Sequence, residues 1–306
     1  MTFGNKIAYG ALRASTWVLS QLPLCFHRAA GRFLGWFVMT VVGYRRKVVE
    51  QNLLLCFPEK SDAERLAVEK RFYRHLGTVI GEAVWFGSCT NTRRLRRSRI
   101  VELEDSEVVN RYFDEGRSVM ALSAHTGNFE ITGGIAKYGE GKLKYVENHI
   151  SSVYKKLSDP VWDKFMKINR TAAISDKAGY DGAVESRAAL RYLLGHSDEQ
   201  YLFMFITDQH PYAGTAREPV NFMGKPTYTM VGGAALAARR HLPVVYLSMR
   251  YRDDGKGYVM SFTPICDDAS QMEPVQIMQR YFELLEADLR QQPWNWLWSH
   301  RRWKNQ

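Results

Sequence analysis

Residues 119–130 read VMALSAHTGNFE, and how this run is parsed decides the fold. Its first six residues, 119–124, are small or apolar, a run short enough for a fully buried strand and too short for a buried helix. His125 and Thr126 follow at once, and Gly127 gives the backbone a place to turn before a helix can open. Buried strand, polar turn and helix in succession form the basic unit of an α/β domain. A histidine at the carboxyl end of such a strand stands where α/β sheets commonly hold their ligands.

Working outward, 201–206 (YLFMFI) reads as a second buried strand and 243–251 as a third. Asp253-Asp254-Gly255 turns the chain into a partner strand at 258–262, completing a hairpin. Ser61-Asp62-Ala63-Glu64 has the form of a capping box, and Leu66, Tyr73, Leu76, Ile80 and Val84 recur at helical spacing, so one long helix is predicted over 61–86. Segments 182–194, 227–240 and 272–290 also read as helices. The expected architecture is α/β, a mixed sheet flanked by helices over 91–306, preceded by a helical membrane-anchoring region over 1–90.

The chain has 306 residues, 45% hydrophobic and 24% charged, with a formal net charge of +10. That composition argues against global disorder, collagen-like repetition and a polytopic membrane protein. The charge is uneven. Residues 1–50 carry +6, the five arginines between Arg93 and Arg99 carry +5, and Arg301, Arg302 and Lys304 carry +3, which leaves −4 for everything else. Such patches attract a polyanion, either nucleic acid or an anionic membrane surface. No zinc-finger, helix-turn-helix or RNP signature accompanies the arginines, which argues against nucleic acid.

Segments 7–24 and 33–44 are the most apolar, but Arg13 and Pro23 interrupt the first and the second is short. Neither is a clean span, which needs about 20 apolar residues. Interfacial helices dipping Trp17, Phe33, Trp36 and Phe37 into lipid, or one tilted span, are the two membrane readings; a buried hairpin of a soluble domain is the plain alternative. Arg45-Arg46-Lys47 directly after the second segment favours a cytoplasmic membrane face. The four cysteines, Cys25, Cys56, Cys89 and Cys266, lie far apart with no zinc-ligand spacing, as expected of unpaired thiols in a reducing compartment.

For chemistry, Glu130 lies five residues beyond His125 and could turn back to accept a hydrogen bond from the imidazole. That would fix the tautomer and leave the other ring nitrogen to remove a proton from a hydroxyl. An ordinary turn histidine is the alternative. A zinc hydrolase built on His125, Glu130, Asp208 and His210 lacks any compact ligand motif. A non-catalytic lipid-binding protein would have no need of a His–Glu pair.

The segment SAHTGNFE resembles the H-x4-D/E block of the glycerolipid acyltransferase superfamily. More closely, the whole chain resembles the bacterial lipid A biosynthesis acyltransferases, the late lauroyl/myristoyl transferase group. The resemblance rests on five ordered blocks: YRRKVVEQNLLLCFP at 44–58, the His125–Glu130 block, Thr207-Asp208-Gln209, Phe222-Met223-Gly224-Lys225-Pro226, and WLWSHRRWK at 296–304. It implies that His125 and Glu130 are the catalytic pair. The implied reaction moves a fatty acyl chain from acyl carrier protein to a hydroxyl of a lipid acceptor, a lipid A precursor first, at the cytoplasmic face of the bacterial inner membrane, with no cofactor and no metal.

Asn128 and the backbone of Thr126-Gly127 then become candidates to hold the oxyanion. Asp208 and Gln209 are expected to border the cleft, although a buried Asp holding a loop together is as good a reading of Asp208. One departure stands out. The family carries V-Y-R-P and then N-P, where this chain has Val153-Tyr154-Lys155-Lys156 and Asp159-Pro160. Lys155 keeps the charge of an acceptor-binding arginine and loses its bidentate fork. An amino-acid lipid or a lysophospholipid is therefore the alternative acceptor.

Overall fold

The amino-terminal quarter is helical. The structure, a computed structural model, describes every residue except 88–91, 146–148, 172, 174–181, 212–213, 215–216 and 304–306; Cys89 and Lys304 lie outside the described residues. Helix α1 (Phe3–Ser20) starts where the Thr2 side chain accepts the Asn5 N–H, and α2 (Leu24–Phe37) starts after Pro23. A π-helical turn, Val38–Val42, ends at Gly43 in the left-handed region. Helix α3 (Arg46–Cys56) follows, then α4 (Asp62–Phe86), which opens with both halves of the expected Ser61–Glu64 capping box.

Helices α2 and α4 meet through glycines. A Cβ on Gly77 would lie 2.0 Å from the Gly31 carbonyl oxygen, and one on Gly35 would lie 2.1 Å from that of Tyr73. Gly31 and Gly35 on one helix and Gly77 and Gly81 on the other therefore let the two backbones touch, which no larger residue permits. Arg28 of α2 closes this seam by donating to Glu82 of α4 at 2.6 Å. The other side of α1 and α2 leaves Phe3, Ile7, Trp17, Phe33 and Trp36 exposed. Among the described residues no helix is long and apolar enough to cross a membrane.

The rest of the chain alternates helix and strand: α5 (Thr92–Ser98), β1 (Val101–Glu104), α6 (Glu107–Asp114), β2 (Val119–Ser123), α7 (Ile135–Tyr138), β3 (Ile150–Tyr154), α8 (Pro160–Arg170), β4 (Ala183–Glu185), α9 (Ala189–Gly195), β5 (Leu202–Ile206), β6 (Arg217–Phe222), β7 (Lys225–Met230), α10 (Gly232–Arg239), β8 (Val244–Tyr251), β9 (Tyr258–Cys266) and α11 (Pro274–Gln291). Seven strands form one sheet in the order β1-β9-β8-β2-β5-β3-β4. Strands β8, β2, β5, β3 and β4 are mutually parallel, and β9 returns antiparallel to β8 as the hairpin predicts. The sheet is mixed and flanked by helices, as expected.

Alternate residues of the buried strand β2 serve the two faces. Met120 and Leu122 join α3, α4 and α11 in one apolar cluster, while Val119 and Ala121 join α6 and α7 in the other. Trp294, Trp296 and Trp298 are buried in the first region rather than displayed to a bilayer. Cys25, Cys56 and Cys266 are free thiols.

Two predicted helices begin as strands. Within 182–194, Ala183–Glu185 pairs with β3 before α9 begins. Within 227–240, Thr227 and Thr229 point inward and Tyr228 outward, because Lys225–Met230 pairs antiparallel with Arg217–Phe222. The short period-two pattern preceding Gly232 is the strand signal that the helical reading passed over. The basic run at Arg93–Arg99 is partly absorbed by the fold: Arg94 donates to the Ser20 carbonyl, Arg96 pairs with Glu140, and Arg99 pairs with Glu102.

Candidate active site

Strand register brings His125 and Asp208 together. Ser123 at the end of β2 is level with Ile206 at the end of β5, so each residue sits two places beyond an aligned strand end. The Nδ1–H of His125 donates to Asp208 Oδ1 at 2.7 Å. Asp208 Oδ2 accepts the His125 backbone N–H at 3.1 Å and the Trp296 indole N–H at 2.6 Å. Asp208 is buried, which alone would push its carboxyl pKa up. The imidazole beside it and these three hydrogen bonds prevail and hold it down at about 2.

With Nδ1 carrying the proton, Nε2 is the basic nitrogen. It receives the Gln209 side-chain N–H at 3.2 Å, and the ring stands edge-on to Phe129 at 4.8 Å between centroids. The His125 side chain keeps 17% exposure against 2% for Asp208. One ring nitrogen thus faces the buried carboxylate and the other faces the Gln209 amide.

The carboxylate that orients His125 is therefore Asp208, and this corrects the expected His125–Glu130 hydrogen bond. Glu130 turns to α8, where Arg170 grips it in a two-pronged pair at 2.6 and 2.8 Å. The reason is local. After Gly127 the chain enters a 3-10 turn, Phe129–Gly134, rather than the α-helix that would bring residue 130 back toward residue 125. Asp208 holds the loop together, as the second of its two readings expects, since it binds the His125 ring and the His125 backbone.

The expected oxyanion donors are committed elsewhere. Asn128 is fully buried, and its amide donates to Glu82 at 2.9 Å. The Gly127 N–H donates to the Asn295 side chain at 2.9 Å. Gly127 itself sits at φ 56, where a Cβ would lie 2.5 Å from Met249, so glycine is required by both conformation and space. Asn128 is a scaffold residue: Glu82 receives it together with Arg28 and the Tyr258 hydroxyl. Lys155 is exposed and follows the end of β3, the neighbour of β5, on the same edge of the sheet.

Sequence reasoning missed Arg170, Trp296 as an Asp208 donor, and two buried residues of α4. His75 donates through Nε2 to the Gly127 carbonyl at 3.0 Å, and burial pulls its pKa down to about 4. Glu82 holds Asn128. The apolar stripe read over 61–86 gave no signal for either, because it runs beside the face that packs: the helix buries Glu69, His75 and Glu82 among its aromatics and leaves Leu66 and Ile80 of the stripe exposed. His125, Glu130, Asp208 and His210 do not converge: His210 faces the Arg302 carbonyl. Among the described residues no group of three His, Cys, Asp or Glu side chains is placed to hold a metal ion.

A strand-end histidine whose Nδ1 faces a buried carboxylate is an arrangement that can support proton transfer. The chain is 24% identical over 294 residues to a lipid A biosynthesis palmitoleoyltransferase of Escherichia coli (strain K12), covering 94% of this chain and 88% of that protein. It is 23% identical over 293 residues to a lipid A biosynthesis lauroyltransferase of the same organism, with the same coverage. A 1-acyl-sn-glycerophosphate acyltransferase from Thermotoga maritima overlaps 86% of this chain and 95% of its own at a TM-score of 0.37 and 14% identity, too loosely to carry an argument. The protein is an acyltransferase. Residues 8–305 match the bacterial lipid A biosynthesis acyltransferase family, and the chain belongs to it.

Proposed function

We propose that the protein transfers a fatty acyl chain from the thioester of acyl carrier protein to a hydroxyl of a lipid A precursor, with His125 as general base. The observation that carries this reading is the 2.7 Å contact between His125 Nδ1 and the buried Asp208 carboxylate, which places the ring proton on Nδ1 and leaves Nε2, beside Gln209, as the basic nitrogen. Nε2 takes the proton of the acceptor hydroxyl as its oxygen attacks the thioester carbonyl. Asp208 stabilises the imidazolium that forms. The tetrahedral oxyanion then collapses, the C–S bond breaks, and the leaving thiol takes the proton from His125. Gln209, whose amide already faces Nε2, is the donor best situated to meet the oxyanion or the incoming hydroxyl.

Glu130 serves in this scheme through Arg170, holding its guanidinium at the rim for an anionic group of the acceptor. Lys155 supplies a second, point-like charge there. The lysine in place of an arginine fork supports keeping an amino-acid lipid or a lysophospholipid as the second acceptor reading. The exposed aromatics of α1 and α2, together with the +6 of the first fifty residues, support interfacial attachment to an anionic leaflet, the cytoplasmic face of the bacterial inner membrane. Residues 1–90 would then be the membrane-anchoring region and 91–306 the acyltransferase domain.

The test is direct. His125→Ala should abolish transfer while the far-UV spectrum and Tm stay near wild type, and near-normal turnover would end the mechanism. Mass spectrometry of lipids from cells with and without the protein should differ by one acyl chain on one lipid, which identifies acceptor and chain length together.

A further inference from the structure

Three of the eight tryptophans are exposed: Trp17, Trp36 and Trp162. The first two belong to the apolar flank of α1 and α2. Trp162 stands in the first turn of α8, its indole 50% exposed and edge-on to Phe165. Leu157, in the loop that leads into that helix, is 40% exposed. Single exposed apolar side chains are ordinary. A leucine and a tryptophan displayed together among lysines ask for a partner.

The loop is built to display them. Asp163 accepts the Leu157 N–H at 2.8 Å, and Asp159 accepts the N–H groups of Val161 and Trp162 at 2.9 Å each. Both acids are thereby turned onto the backbone. The lysines stay outside, with Lys155, Lys156 and Lys164 exposed. Segment 155–167 holds four lysines against those two acids, within the part of the chain that as a whole carries −4. Charge counted in a sequence is not always displayed, since Arg302 of the basic tail is buried at 1% exposure. The charge of this loop is displayed.

The loop is also tied to the first helix. Helix α8 packs on α1, with Lys164 Nζ over the Tyr9 ring at 4.6 Å from its centroid. That contact stands two residues from an exposed apolar side chain on each helix, Ile7 on α1 and Trp162 on α8. From Trp162 the helix runs eight residues, roughly 12 Å of axis, to Arg170 at its other end. Arg170 grips Glu130.

We propose that residues 155–162 form a second membrane-contact element. Leu157 and Trp162 enter the same anionic leaflet that receives α1 and α2, and Lys156 meets its headgroups. The inference rests on the interfacial reading of α1 and α2 and extends it. An indole beside exposed ammonium groups fits the boundary between headgroups and acyl chains, where lysine stems lie along apolar surface with their charges in water. Two helices lying in a surface leave the body free to roll about them. A further contact on α8 removes that freedom and holds the Glu130–Arg170 pair toward the lipid from which an acceptor must come.

Co-sedimentation of the full chain with phosphatidylglycerol–phosphatidylcholine vesicles reads the contact. Leu157→Ser/Trp162→Ser should weaken binding about tenfold at unchanged Tm. Lys156→Gln should weaken it about fivefold on these vesicles and leave binding to pure phosphatidylcholine unchanged. Unchanged affinity in the double variant overturns the proposal. So does a raised KM for acyl carrier protein with vesicle affinity intact, which would make the loop the carrier's site. A sedimentation coefficient altered by the double variant without lipid would make it a contact between copies, and overturns the proposal too.

A second measurement reports on the ring itself. Lipids brominated along their chains should quench a component of tryptophan emission that is missing from Trp162→Phe, a variant that keeps an apolar ring in place. The same quenched component in both proteins overturns the proposal. If changing Trp17, Phe33 and Trp36 to serine leaves vesicle binding intact, the reading of α1 and α2 falls, and the Trp162 component still decides this one.

Discussion

The indole N–H of Trp296 donates to Asp208 at 2.6 Å, and the other oxygen of that carboxylate receives the His125 ring. The tail of the chain thus reaches back to fix a residue that itself fixes the candidate base. Trp296→Phe keeps most of the packing and removes this one donor. A hydrogen bond to a charged group contributes roughly 1.5–3 kcal/mol, so kcat should fall by about tenfold or more with KM little changed. Steady-state kinetics at saturating acceptor would read it. Asp208→Asn should cost more, about a hundredfold or greater, because both orientation and charge are lost.

Glu130 and Arg170 form one unit, and a double-mutant cycle exposes units. Glu130→Ala and Arg170→Ala should each weaken transfer, mainly through KM for the acceptor. The double variant should be no worse than the poorer single one. Independent, multiplying losses would show that Glu130 acts apart from Arg170.

Acid should loosen the loop that follows His125 well before it protonates Asp208. The buried His75 ring has its pKa lowered from 6.5 to about 4, with desolvation the cause. Its contribution to stability is therefore fully present above pH 6.5 and disappears as pH falls toward 4, a change of roughly 3 kcal/mol. Asp208 is also depressed, but its share is lost only between its ordinary value of 3.8 and about 2. Urea unfolding at about pH 7.5 and pH 5 should show the first drop, and His75→Gln, which can still donate to Gly127, should flatten it.

Attachment to lipid is best probed from the outer side of the first helices. Removing residues 1–43 would strip Arg28 from the fully buried Glu82 and bare the glycine face of α4, so loss of binding would be confounded with misfolding. Changing Trp17, Phe33 and Trp36 to serine leaves that seam intact. Each such ring is worth roughly 1.5–3 kcal/mol when buried, so co-sedimentation with anionic vesicles should weaken at least tenfold at unchanged Tm.

The parts of the fold that could be read in advance were those with a local signature. The capping box at Ser61, the uninterrupted apolar runs of β2 and β5, and the turn between β8 and β9 each announce themselves within a few residues. His125 was legible because it ends such a run. Its partner was misassigned because nearness along the chain favoured Glu130, while the pairing with Asp208 is set by parallel strand register across 83 residues. Arg302 was misjudged for the converse reason: composition counts a charge but not its burial. The glycines of α2 and α4 carried no signal alone, since each becomes meaningful only against the opposite helix.

The contact between those two helices has a mechanical consequence. With backbone against backbone there is no side-chain cushion to absorb a tilt, so α2 and α4 behave as a single rigid strut. His75 and Glu82 rivet the loop that follows His125 to that strut through Gly127 and Asn128. Whatever surface the apolar flank of α2 rests upon, the height and inclination of His125 above it are set by the protein's own framework, as a blade is set in a plane.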